Sequence, residues 1–177
     1  MRLYAARHGQ TIWNAEDKVC GSTDLPLTDV GIAQAESLAE KCKALNLDLI
    51  ISSDLVRARK MAQIVSDACG VPVIEDSRLQ EQHFGSWEGI GRKDPRFLAH
   101  KVHFAMPYDD GGESIFQLVH RVYSALDDIK AQYSDKTVLV VCHGTVCRVI
   151  KTYFESMTNE EYYHFSPGNA DLQEYSL

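Results

Sequence analysis

Two apolar runs of strand length in this chain end on the same dipeptide. Leu3 to Ala6 leads into Arg7-His8-Gly9, and the continuous run Thr137 to Cys142 leads into His143-Gly144. An uninterrupted apolar run of this kind is the pattern of a parallel strand that helices bury on both faces. In open α/β sheets ligands bind beyond the carboxyl ends of the strands. Both imidazoles are therefore expected at one edge of one sheet, with Gly9 letting the backbone turn sharply behind the first.

The stretches between these runs alternate. Residues 10 to 27, rich in Gly, Asp, Asn and Thr, read as a long loop that carries Asn14, Cys20 and Gly21. Thr28 is placed as an N-cap, with Asp29 in the first turn of a helix to about Ala44 whose Ile32, Ala35, Leu38, Ala39 and Cys42 share a face. Leu47 to Ile51 is a strand, and Ser52-Ser53-Asp54 is expected to cap a helix from Leu55 to about Cys69 that stops at Gly70. That helix buries Met61, Ile64, Val65 and Ala68, and sets Arg57 in its first turn at the same end of the sheet as His8. Val71 to Ile74 is a short strand, started or placed at an edge by Pro72. Periodicity is then lost from 79 to 113, apart from a short helix around Phe97 to Val102. The glycines and prolines there mark an excursion, at about 82–113, that covers the site. Ile115, Leu118, Val119, Val122, Leu126 and Ile129 define the clearest helix. Helices at about Val146 to Phe154 and Glu160 to Phe165, and a strand near Leu172 to Tyr175, follow. This order implies a single 1–177 domain of class α/β, a three-layer α/β/α sandwich with a mainly parallel sheet.

The net charge of −7 argues against a nucleic-acid partner, which needs a broad basic surface, so an anionic ligand needs a locally basic pocket. No apolar run is long enough to span a membrane. Five scattered cysteines without a Cys-x-x-Cys pair indicate neither a disulfide framework nor a zinc site, and the absence of a signal-peptide pattern adds to a cytoplasmic expectation. His100 and His103, with Asp109 and Asp110, have too loose a spacing to define a metal site. The possible edge strand allows a homodimer.

A strand-end histidine beside an arginine, a second strand-end histidine, an arginine at a helix start and a glutamate in a glycine-rich excursion suit phosphoryl transfer. The ordered set is Arg7-His8-Gly9, Gly21-Ser22-Thr23-Asp24-Leu25-Pro26-Leu27-Thr28, Ser53-Asp54-Leu55-Val56-Arg57-Ala58, Leu79-Gln80-Glu81, Phe84-Gly85-Ser86-Trp87-Glu88-Gly89, Gly112-Glu113-Ser114 and His143-Gly144 with Arg148. It resembles the histidine phosphatase superfamily, in the branch of the cofactor-dependent phosphoglycerate mutases and their phosphatase relatives, among them α-ribazole phosphatase. The resemblance implies a phosphoglycerate mutase-like fold, with His8 as a nucleophile that forms phosphohistidine. Arg7 and Arg57 are then phosphate-binding arginines, His143 a donor to the equatorial oxygens, and Asn14 and the Gly144 backbone neutral donors. Glu81 aligns with the acid, which must hold a proton for the departing alkoxide when substrate is bound. Glu88 and Glu113 are read as holding loops, and His120 as a helix-surface residue.

An imidazole attacks only as the neutral base, so one ring nitrogen of His8 is expected to donate to a backbone carbonyl. Cys20 and Gly21 belong to the substrate-binding set, although Cys20 stands where the mutases often have Thr. The chain is also shorter than the usual mutase. A phosphomonoesterase acting on a small phosphorylated metabolite, without metal or other cofactor, is the favoured reading. A 2,3-bisphosphoglycerate-dependent mutase and a non-catalytic phosphate-binding module are the alternatives. Arg92, Lys93, Arg96 and Lys101 form a basic cluster in the excursion that suits a second anionic group.

Overall fold

The computed structural model describes residues 1–176. Five strands, β1 (Arg2–Arg7), β2 (Leu49–Ser52), β3 (Val73–Glu75), β4 (Thr137–Cys142) and β5 (Leu172–Ser176), form one sheet in the order β3-β2-β4-β1-β5. The first four run parallel, and β5 pairs antiparallel with β1 at one edge. Arg7 lies opposite Cys142 in the register of β1 and β4, and the His8 amide donates to the Cys142 carbonyl at 2.9 Å. His8 and His143 therefore leave the sheet side by side.

Seven helices among the described residues connect these strands: α1 (Ile12–Ala15), α2 (Asp29–Cys42), α3 (Val56–Cys69), α4 (Pro95–His100), α5 (Ile115–Gln132), α6 (Gly144–Phe154) and α7 (Asn159–His164). Because strand side chains alternate, Leu3, Ala5, Val138 and Val140 face the layer of α5 and α6, while Tyr4, Ala6, Leu139 and Val141 face that of α2 and α3. Leu118, Val122, Leu126 and Ile129 of α5 are buried in the first layer, each contributing roughly 1.5–3 kcal/mol. The excursion has a small core of its own, Val19, Phe84, Phe97 and Tyr108, with Trp87 and Ile90 packed against it.

Several local expectations change. The 10–27 stretch is not all loop: Thr11 and Asn14 form a capping box that starts α1. Thr28 does cap α2, accepting from the Gly31 amide. The Ser52-Ser53-Asp54 cluster does not cap α3 by a side chain. Its N-cap is Leu55, and the Val56 amide is taken by the Asp24 carboxylate from the distant loop at 2.8 Å. Sequence proximity suggested a local cap, whereas a tertiary contact supplies the acceptor. Ala68 is exposed and Ala58 and Ala62 are buried instead, because α3 turns its first half against the sheet. Gly70, at φ 71°, ends that helix in the left-handed conformation glycine adopts without penalty. Pro72 directly precedes β3, which is indeed an edge strand. α6 begins at Gly144 rather than Val146, with His143 in the capping position and no side-chain cap.

Candidate active site

His8 follows β1 directly and is 4% exposed. Its Nδ1 stands 2.7 Å from the Gly9 carbonyl. A carbonyl only accepts, so Nδ1 carries the proton and Nε2 holds the free lone pair. The Arg57 Nε donates toward that lone pair at 3.3 Å. Burial, then the Arg57 and Arg7 cations, hold the pKa of His8 well below its ordinary value, so the ring stays a neutral base.

Arg57 is fully buried and, among the described residues, has no carboxylate partner. Its other nitrogens donate to the Thr23 and Gly21 carbonyls at 2.9 and 2.6 Å, which fixes the guanidinium plane against His8. Gly21 has no room for a side chain, since a Cβ would lie 2.3 Å from the Gln82 carbonyl oxygen. The loop at 22–23 is held by Glu88, whose carboxylate accepts from the Ser22 and Thr23 amides and hydroxyls and from the Phe84 amide. Burial opposes ionisation of Glu88, but these donors outweigh it and hold its pKa below the ordinary value. Glu113 pairs with Arg121, which also binds the carbonyls of Arg78, Gln80 and Glu81. Both glutamates hold loops, as expected.

His143 is fully buried, with its ring centroid 5.1 Å from that of His8. Its Nε2 lies 2.8 Å from the Ser53 hydroxyl, while its buried Nδ1 has no partner among the described residues. Ser53 Oγ accepts from the Leu55 amide, leaving its own proton free to go to Nε2. When Ser53 donates to Nε2, the ring proton sits on Nδ1 as an unused donor. Burial, then Arg57 and His8, hold His143 neutral as well.

Arg7 donates to the Pro167 carbonyl at 2.9 Å, and its buried Nε has no partner among the described residues. A Cβ built on Gly144 would lie 3.6 Å from that Nε and 3.7 Å from Glu81 Oε2, so Arg7, Gly144 and Glu81 converge. Glu81, 7% exposed, accepts from the Thr145 amide with both oxygens at 3.2 Å and from the Gln82 amide at 3.0 Å. It is anchored on the open N-terminus of α6, the end at which a helix favours negative charge. The Asn14 side chain uses only its oxygen within the fold, and among the described residues its amide Nδ2 binds no protein atom. Its Oδ1 serves the Thr11 cap and accepts from Asn169 Nδ2, which also donates to the His8 carbonyl.

A cavity of about 220 Å³ lies beside this cluster, with Arg7, Cys20 and Glu81 in its wall. Phe97, Tyr108, Tyr162 and Tyr163 supply apolar wall, and Arg92, Lys101 and Arg148 positive charge. The basic cluster of the excursion is thus divided. Arg92 and Lys101 face the cavity, but Lys93 is turned out toward Asp17 and Arg96 toward Asp94, with side chains 91% and 74% exposed. The short turn of α4, capped by Asp94, swings Arg96 away. His100 packs its ring on Trp87 and Tyr108, and among the described residues no group of three or more His, Cys, Asp or Glu side chains is arranged to hold a metal.

Sequence reasoning gave no site role to Ser53, Asn169 or Pro167. Ser53 sits inside the motif that delivers Arg57, a usable signal. Asn169 and Pro167 sit in a segment with no pattern of its own.

Strand-end histidines facing each other over a buried arginine, on a doubly covered and mainly parallel sheet, define a phosphoryl-transfer scaffold. The chain belongs to the histidine phosphatase superfamily (branch 1), whose family model matches residues 3–177. Over 150 residues it is 34% identical to a probable phosphoglycerate mutase, GpmB, of Yersinia pestis (strain Pestoides F), a match covering 81% of this chain and 70% of that one. Among solved structures, a mycobacterial glucosyl-3-phosphoglycerate phosphatase complexed with VO3 superposes with a TM-score of 0.88 at 27% identity, covering 99% of this chain and 90% of that one. A putative alpha-ribazole-5'-P phosphatase of Escherichia coli gives 0.86 at 26% identity, covering 98% and 89%. The chain is an enzyme of phosphatase or phosphoglycerate mutase type.

Proposed function

We propose that the protein is a phosphomonoesterase that hydrolyses a small phosphorylated metabolite through a phosphohistidine on His8. The observation that carries this reading is the tautomer of His8. Its Nδ1 proton is committed to Gly9, so Nε2 is a free base beside two arginines. The Nε2 lone pair attacks phosphorus and the ester P–O bond breaks. Arg7, Arg57 and the Nδ1 proton of His143 take the charge on the equatorial oxygens. Glu81, which must enter the substrate complex as the acid, gives its proton to the departing oxygen and becomes a carboxylate. Water then attacks phosphorus, the P–N bond breaks, and the water's proton returns to Glu81.

No step requires a metal, since the arginines supply the positive charge. A cytoplasmic setting goes with this reading: Cys142 and Cys147, with sulfurs 3.5 Å apart, stay thiols in a reducing compartment. The mutase alternative draws on the GpmB relative. A phosphate-release screen over small phosphomonoesters at about pH 5 to 8, without added metal, separates the two. Release by the wild type that disappears in His8→Ala is the expected result. Absence of release, with transfer between phosphoglycerates once 2,3-bisphosphoglycerate is added, would replace the phosphatase with a mutase.

A further inference from the structure

The proposed acid stands on a stretch that no regular element supports. Glu81 lies in residues 80–84, which belong to neither helix nor strand, whereas His8 and His143 leave strand ends and Arg57 sits on α3. A proton donor must be held within hydrogen-bond reach of the departing oxygen, so a group outside this stretch has to fix its backbone. The hydrogen bonds lead to Arg121, in the second turn of α5.

All five N–H groups of the Arg121 guanidinium are spent there. Nη1 donates to the carbonyls of Arg78 and Gln80 at 2.6 and 2.7 Å, and Nη2 to the carbonyl of Glu81 itself at 3.1 Å. Nη2 and Nε also hold the two Glu113 oxygens, at 2.8 and 2.7 Å. A planar fork filled in this way fixes the three carbonyls relative to one another, which the flexible ammonium of a lysine could not do. Glu113 is tied to the same stretch, since its amide donates to the His83 carbonyl and its carbonyl accepts from the Gln82 side chain. Its carboxylate balances the guanidinium charge, so the clamp does not favour the ionised form of Glu81 as a lone cation would. No donor of Arg121 is left for a substrate.

We infer that Arg121 is a positioning residue for the proton transfer: by holding the backbone under Glu81 it sets the carboxyl beside Gly144 and Arg7, on the first turn of α6. The catalytic consequence rests on the proposed role of Glu81 as the acid, whereas the placement does not. Arg121→Lys should act as a partial Glu81→Gln. Its kcat/KM should fall about 10–100-fold on an alkyl phosphate, the scale of an ångström-sized misplacement, and less than about threefold on p-nitrophenyl phosphate, whose leaving group needs no acid. Inhibition by inorganic phosphate should be unchanged. Added to Glu81→Gln, the replacement should cost nothing further on the alkyl ester, because groups that act as a unit are not additive.

Arg78→Met is the control. Its side chain joins the same stretch to α5 through Ser124 and Asp128, so its loss lowers stability while the ratio of the two esters stays at the wild-type value. Glu113→Gln keeps the three carbonyl bonds but loosens the fork. It should move the ratio in the same direction by less, and it carries the test if Arg121→Lys does not fold.

Amide exchange reads the placement without turnover. A first-turn amide has no acceptor within its own helix, so protection of the Thr145 amide comes from Glu81. It should exchange about three- to tenfold faster in Arg121→Lys, the scale of one weakened hydrogen bond, while the amides of β4 keep their rates. If the wild type hydrolyses neither ester, the phosphatase reading fails and the exchange rates still decide whether Arg121 places Glu81. Unchanged exchange at Thr145, or equal losses on the two esters where Glu81→Gln separates them, overturns the inference.

Discussion

Replacing Glu81 by Gln separates proton delivery from everything else this side chain does. The carboxylate accepts from the Thr145 and Gln82 amides. A Gln carbonyl oxygen can accept from both, so the fold loses at most about one hydrogen bond, roughly 0.5–1.5 kcal/mol. For 177 residues that is a fall in Tm of less than about 6 °C. The catalytic loss is of another size. An alkoxide leaves poorly without a proton, and a positioned general acid contributes about 10²–10⁴-fold. At about 1.36 kcal/mol per tenfold this is roughly 2.7–5.4 kcal/mol in the barrier. A nitrophenolate leaves without help, so its loss should stay below about tenfold.

The assay is kcat/KM for an alkyl and for p-nitrophenyl phosphate, because this constant reports only steps up to departure of the alcohol. KM should not rise, since removing a negative charge beside the dianion site cannot weaken its binding electrostatically. Equal losses on the two esters would refute the proton-donor role and leave Glu81 as an anchor for α6.

Two further outcomes test the histidines. Ser53→Ala removes the hydroxyl that fixes the His143 tautomer, at a cost of about 1–3 kcal/mol. Nitrogen-15 shifts of the His143 ring should then show the proton no longer confined to Nδ1, with kcat reduced more than KM is raised and with recovery in Ser53→Thr; unchanged shifts would exclude the positioning role. Stability should fall with pH below about 6.5, because the native pKa values of His8 and His143 are held below the ordinary value near 6.5 by burial first and by Arg57 next. In that window the unfolded chain takes up protons the native state refuses, at up to about 1.4 kcal/mol per pH unit for each ring. Urea unfolding at pH 7 and 5.5 should show a shallower dependence in His8→Gln than in the wild type, and equal slopes would count against the neutral native imidazole.

The elements that fix the site's location were readable in the chain, because burial on both faces leaves a continuous mark at β4 and helical spacing marks α5. His8, Arg57, Glu81 and His143 could be named because each sits in a short motif whose local chemistry is distinctive. Boundaries were less visible: α3 takes its cap from Asp24, 32 positions before the Val56 amide it accepts from, and no local pattern announces it.

The sequence by itself determined which residues are brought to the sheet edge and that one imidazole must be held neutral by a carbonyl. Only the tertiary structure decided which nitrogen is free, since that depends on the 2.7 Å contact with Gly9 and on Ser53 meeting His143 from another strand end. It also divided the basic cluster, turning Arg96 and Lys93 outward and bringing Arg148 from α6 to join Arg92 and Lys101. The physical reason is the same throughout. Apolar periodicity is written locally and survives in one dimension, whereas the direction of a polar side chain is settled by partners that only folding brings near.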